Sequence, residues 1–213
     1  MDSKPISNGG DKNSPLKFYE PLNFVVFMSF YSPIIVTICM LSMSFVFQNV
    51  KGFIFFGYLL ACCIVRNFVY MMSGADPTVN DNTICTSIQY SKYGNECFST
   101  FVFAFTLTYL FIPMFTNDDP NFWIFTSMIF YFAVDVYIKM YKKCITQIKD
   151  LLINILLGGG IAALIVSGMY AGGSSKFLFF NEVSSSNEQC SMPSKQTFKC
   201  SVYKNGELIG DAN

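Results

Sequence analysis

The sequence predicts an all-α integral membrane protein: about five transmembrane helices in a bundle, a polar N-terminal tail, and a small C-terminal tail with a possible β-hairpin. Three observations carry that prediction. Of the 213 residues 52% are hydrophobic and only 13% charged, about half the charge of a soluble domain. From Pro21 to Val50 there is no charged side chain, and from Gly52 the next 14 residues are uncharged until Arg66. A bilayer core about 30 Å thick is spanned by about 20 apolar helical residues, and runs of that length recur downstream.

Residues 1–23 are polar, contain Gly9-Gly10 and three lysines, and read as a tail. Span one is 24–47. Its Ser32-Pro33 predicts a kink, because proline removes a backbone hydrogen bond. The run is too long for a signal-peptide core, and no small-residue cleavage site follows it, so it reads as a span. Span two, 52–73, follows a very tight turn. A polar loop, 74–96, carries Asp76-Pro77 and Asn80-Asp81-Asn82 turn signals. Span three is 97–115, closed by Pro113; span four is 122–141, interrupted by Asp135; span five is 151–170. The extramembrane tail, 171–213, alternates apolar Phe198, Cys200 and Val202 with polar residues. Asn205-Gly206 then reads as a type I′ turn into a second strand.

Five spans place the N-terminal tail, the 74–96 loop and the 139–150 region on one face with eight lysines, against five on the other. The positive-inside rule then predicts a cytoplasmic N-terminus. Net charge is zero, which gives no footprint for nucleic acid. Histidine is absent, which excludes His-based metal sites and Ser–His or Cys–His catalytic pairs. No phosphate-binding loop or nucleophile elbow is present, so no catalytic residue, cofactor or metal is assigned, and the expectation is a protein that is not an enzyme.

Arg66 is the only arginine, and Asp135 the only acid inside a span. Their spans run in the same direction and their depths agree to about one residue, roughly 1.5 Å of rise. Two charges at one depth in lipid predict an interhelical Arg66–Asp135 ion pair. It serves either as part of an ion or proton path or as a packing clamp, unless Arg66 snorkels to the interface. Gly159, Ala163, Ser167 and Ala171 form a stripe of small residues where a neighbouring helix can approach. The alternative use of Gly158-Gly159-Gly160 is a hinge or the broken helix of a transporter. Cys85 and Cys97 share a loop, and Cys190 and Cys200 share a tail. Each pair is a disulfide candidate, but on opposite faces a single oxidising compartment would bridge only one. Neither face supplies the four ligands of a zinc site. Cys144 beside Lys142-Lys143 is a palmitoylation candidate, and the basic run 139–149 suits anionic head groups.

The strings FQNVKGFIF at 47–55, CTSIQYSKYGN at 85–95, FTLTYLFIPMF at 105–115 and PSKQTFKCSVYKNGELI at 193–209 resemble multi-pass membrane proteins of large nucleocytoplasmic DNA viruses of the mimivirus and phycodnavirus kind. The resemblance implies a structural component of the virion's inner membrane, or of the host membrane from which it derives. Such a protein contacts capsid or other membrane proteins through its loop and tail. A virus-encoded thiol oxidase would also allow disulfides at both cysteine pairs. From the residues alone, the alternative is a small, oligomeric ion channel or transporter using Arg66 and Asp135.

Overall fold

The structure is a computed structural model that describes residues 21–74, 85, 88–117, 120–145, 147–180, 200–204 and 207–212. It divides into two units, 1–181 and 182–213. Among the described residues the first contains six α-helices: α1 (Pro21–Phe30), α2 (Ser32–Val46), α3 (Lys51–Met72), α4 (Phe98–Thr116), α5 (Phe122–Tyr141) and α6 (Ile148–Ala171). Among the described residues four helices are long and apolar enough to cross a membrane, namely α3 to α6, and α1 with α2 would make a fifth crossing if taken together.

The stretch 24–47, expected as one kinked span, is two helices whose axes bend by 71° at Tyr31. Pro33 explains the position of the break. It lies in the first turn of α2, where its missing N–H is no loss. In a continuous helix the same residue would leave the Ser29 carbonyl without a donor.

The tight turn after α2 is a Schellman motif. Gln48 has φ 50°, Gln48 N–H donates to Phe45 O and Asn49 N–H to Ser44 O, so the terminal carbonyls are satisfied. Gly52 N–H then donates to Ser44 Oγ at 3.1 Å. A Cβ on Gly52 would lie 2.6 Å from the Met40 carbonyl, so only glycine permits this α2–α3 crossing.

α4 is the central helix. About two thirds of its apolar stretch is buried, 67% against 17–28% for the other three long helices. Its sequence carries bulky apolar side chains on every side, which suits a helix enclosed by others. Phe55 of α3 meets Tyr109 edge-on at 5.2 Å, and Phe103 packs on Tyr131 of α5 at 5.1 Å. α4 runs three residues beyond Pro113, to Thr116, rather than closing at the proline. The outer faces expose large apolar residues, among them Ile64, Phe130, Leu156 and Leu164, an arrangement suited to a lipid surrounding and costly in water.

α6 packs along α4, but not through the expected stripe. Its buried residues are Asn154, Gly158, Ala162, Val166 and Met169, one position N-terminal to the predicted register. Gly159 and Ala163 are half-buried, and Ser167 and Ala171 are exposed. Both registers repeat every fourth residue. The close approach is at Gly158, where a Cβ would stand 2.5 Å from the Phe101 carbonyl.

In the second unit, β1 (Cys200–Lys204) and β2 (Glu207–Ala212) are antiparallel, with Val202 opposite Gly210. The turn expected at Asn205-Gly206 lies outside the described residues.

Candidate functional site

Two buried polar clusters lie beneath the segment that joins α3 to α4. The first is centred on Asp135. Its carboxylate is fully enclosed and accepts hydrogen bonds from helices on three sides. Ser29 Oγ of α1 donates at 3.0 Å, Ser32 Oγ of α2 at 2.8 Å, and Ser99 Oγ of α4 at 2.7 Å. The counter-charge is Lys139, one turn along α5, with Nζ 3.2 Å from Asp135 Oδ1 and 3.2 Å from Oδ2. Lys139 Nζ also donates to Ser99 Oγ and stands 5.9 Å from the Phe30 ring centroid.

The second cluster is centred on Arg66, itself 1% exposed. Nε donates to Asn154 Oδ1 of α6 at 2.9 Å, Nη1 to Tyr93 O at 3.3 Å, and Nη2 to Gly94 O at 2.7 Å. The guanidinium lies 4.7 Å from the Tyr70 ring centroid, a cation–π distance. Asn154 Nδ2 donates in turn to Tyr70 Oη at 2.8 Å. Neutral oxygens and an aromatic face therefore hold this cation.

The predicted Arg66–Asp135 ion pair is thus replaced by two separate arrangements. Depth matching was a necessary condition for that pair but not a sufficient one. The side chains turn to different neighbours, Arg66 to α6 and the loop, Asp135 to α1, α2, α4 and its own helix. Lys139 belongs to the basic run expected at the head groups, although its i,i+4 spacing from Asp135 is the ordinary signal for a helical ion pair. Asn154, a lone amide in an apolar run, was the missed partner of Arg66.

The segment above the clusters is tied from several directions. Asn95 Oδ1 accepts from Tyr90 N at 2.8 Å, and Asn95 Nδ2 donates to Ile88 O at 2.8 Å. Tyr90 stacks on Phe98 at 5.1 Å, and its hydroxyl donates to Phe30 O at 3.0 Å. Burial, with the Asp135 carboxylate adding, pushes the Tyr90 phenol up to about 12, so it remains a donor at any working pH. Ser91 Oγ donates to Asn67 Oδ1 at 2.6 Å.

A disulfide joins Cys85 to Cys144, with Cα atoms 5.6 Å apart across 59 residues of sequence. The predicted Cys85–Cys97 loop is not formed, and Cys97 is a buried free thiol at the start of α4. Cys144 is presented by a second Schellman motif. Lys143 has φ 56°, and Cys144 N–H donates to Lys139 O at 2.8 Å. A thiol bound in this way is not available for palmitoylation. Cys190 and the side chain of Cys200 lie outside the described residues.

Between the disulfide and the first cluster is a cavity of about 20 Å³, lined by Cys85, Cys144, Tyr90, Glu96, Ser99 and Lys139, among others. That is room for about one water. Among the described residues no three His, Cys, Asp or Glu side chains converge on a point where a metal ion would sit. Ser99 with Lys139 has the composition of a serine–lysine dyad. Here, however, the ammonium is neutralised by Asp135, and the adjoining space has no room for an acyl substrate.

No protein-family model, no curated protein and no solved structure matches the chain.

Proposed function

We propose that the chain is a structural multi-pass membrane protein that anchors partner proteins through its extramembrane segments, the 74–96 loop and the 171–213 tail with its C-terminal hairpin. The observation that carries this reading is the use made of the intramembrane charges. Arg66 grips the carbonyls of Tyr93 and Gly94, and Asp135 is enclosed by three serines and Lys139. Intramembrane charges are paired with one another or with backbone carbonyls. Here they are arranged to hold helices together and to fix a loop on top of them. In this reading α1 and α2 together make the fifth crossing. The virion inner membrane, with capsid-associated proteins as partners, rests on the sequence resemblance alone.

The rival reading is a channel or transporter, and flux separates the two. Purified protein in liposomes is expected to give no selective ion or proton flux above that of empty vesicles. A selective flux abolished by Asp135→Asn would replace the anchor with the transporter. Cross-linking in native membranes is expected to capture neighbours at lysines of the 74–96 loop or the tail.

A further inference from the structure

We infer that the face carrying the 85–97 segment and the α5–α6 connector lies in an oxidising compartment. This reverses the side assigned by the lysine count. The inference rests on the membrane-spanning reading above and adds a direction to it.

The Cys85–Cys144 bond joins two different extramembrane segments, one after α3 and one after α5. Both segments therefore emerge on the same side. Both cysteines are buried beneath a loop fixed by the Asn95, Tyr90 and Arg66 contacts. The bond is thus built into the fold and is not an accident at an exposed tip. Bonds of this kind are rare in the cytosol, where glutathione and thioredoxin keep thiols reduced; a bond made on the cytosolic face by a dedicated thiol oxidase is the rival outcome, which the glycan pattern below tells apart. Closing the Cys85–Cys144 bond releases two thiol protons and two electrons. A disulfide-exchange oxidant of the oxidising compartment accepts them, its own disulfide becoming a dithiol.

Lysine placement opposes this direction. Lys139, one of the eight lysines assigned to this face, is buried and paired with Asp135, so it is no solvated loop charge. Three of the remaining seven, Lys4, Lys12 and Lys17, belong to the N-terminal tail. Near the ends of the five crossings the count is then seven, with Lys92, Lys142, Lys143 and Lys149 beside the three tail lysines, against Lys176, because Lys51 is as buried as Lys139. The lysine bias therefore points the other way, and the disulfide, which is restricted by compartment, carries the inference. It follows that the tail after α6 is cytosolic, and that a partner bound there is a cytosolic one. A partner of the 85–97 face is extracytosolic.

Single substitutions create glycosylation acceptors on each side: Asn82→Thr makes Asn80 an acceptor in the loop, and Gln189→Thr does so for Asn187 in the tail. Full-length protein is expressed into microsomes, which glycosylate only on the lumenal side. The expected result is an endoglycosidase-sensitive mobility shift for Asn82→Thr, none for Gln189→Thr, and a Cys85–Cys144 linked peptide in the unreduced parent. A shift for Gln189→Thr, no shift for either variant, or the absence of the linked peptide overturns the inference. Alkaline carbonate extraction of the same membranes keeps the two readings apart. Release of the protein refutes the spanning reading itself, and retention with the wrong glycan pattern refutes only the direction.

Discussion

Asp135 and Lys139 show how much a single buried charge depends on its neighbour. Removing one partner of a buried ion pair costs about 3–5 kcal/mol, because the other charge is left without compensation, whereas replacing both with apolar residues of similar volume is close to neutral. Asp135→Asn is therefore expected to lower the thermal midpoint of the detergent-solubilised protein sharply. The double variant Asp135→Leu with Lys139→Met is expected to recover most of the loss. A double variant no better than the single would show that the serine hydroxyls, not the ion pair, do the holding. Gly94 gives a second test. It sits at φ 57°, and a Cβ there would stand 3.0 Å from Arg66 Nη2 and 3.1 Å from Tyr70 Cζ. Gly94→Ala carries the left-handed penalty of about 1–2 kcal/mol and also displaces the guanidinium from its carbonyl. Faster alkylation of the buried Cys97 thiol in folded protein is the expected readout. These contacts were only half legible in the sequence. Arg66 and Asp135 stood out because charges in apolar runs are rare, and their equal depth followed from counting residues. What counting cannot supply is the rotation of each helix about its axis, and rotation decided that Arg66 meets Asn154 and not Asp135.

The same limit explains α6. Small residues recur at Gly158 and Ala162 as well as at Gly159 and Ala163, so two adjacent stripes about 100° apart both satisfy the spacing for close approach. Asn154 breaks the tie, since a buried amide needs partners, and it finds them in Arg66 and Tyr70. That turns Gly158 onto α4. Gly158→Leu is expected to separate α4 from α6 and cause loss of the monodisperse species on size exclusion. Gly160→Leu, at a position where no neighbouring element comes within 4 Å of a new Cβ, is expected to be tolerated. Equal damage from both would mean that the glycines matter for helix flexibility and not for contact. Helix extents, by contrast, were easy to read, because uncharged runs and polar turns bound each of α3 to α6. The first span was the exception. Proline predicted a kink, but its size depended on where Ser29 and Ser32 could find an acceptor, and that acceptor sits on α5, more than a hundred residues along the chain.

For the molecule as a whole, the Cys85–Cys144 bond is the one covalent tie among the described residues between parts of the bundle far apart in sequence. In a free chain, closing a loop of about 60 residues constrains the unfolded state by about 4 kcal/mol in the chain-entropy account. Here the gain is smaller, because α3, α4 and α5 remain inserted when the tertiary contacts are lost, and inserted helices already restrict where Cys85 and Cys144 can go. The bond acts chiefly on the roof of the bundle. It holds the 85–97 segment and the α5–α6 connector together above the water-sized cavity next to Lys139. Cys85→Ala with Cys144→Ala is therefore expected to leave helix content unchanged by far-ultraviolet circular dichroism and to lower the thermal midpoint by only a few degrees. Amide exchange of residues 88–97 is expected to rise by an order of magnitude or more, with α4 to α6 staying protected below their first turns. Treating the parent with a phosphine reductant should reproduce the exchange pattern of the double variant. If exchange instead rises throughout the bundle, the bond supports the whole helical assembly and not merely the segment above it.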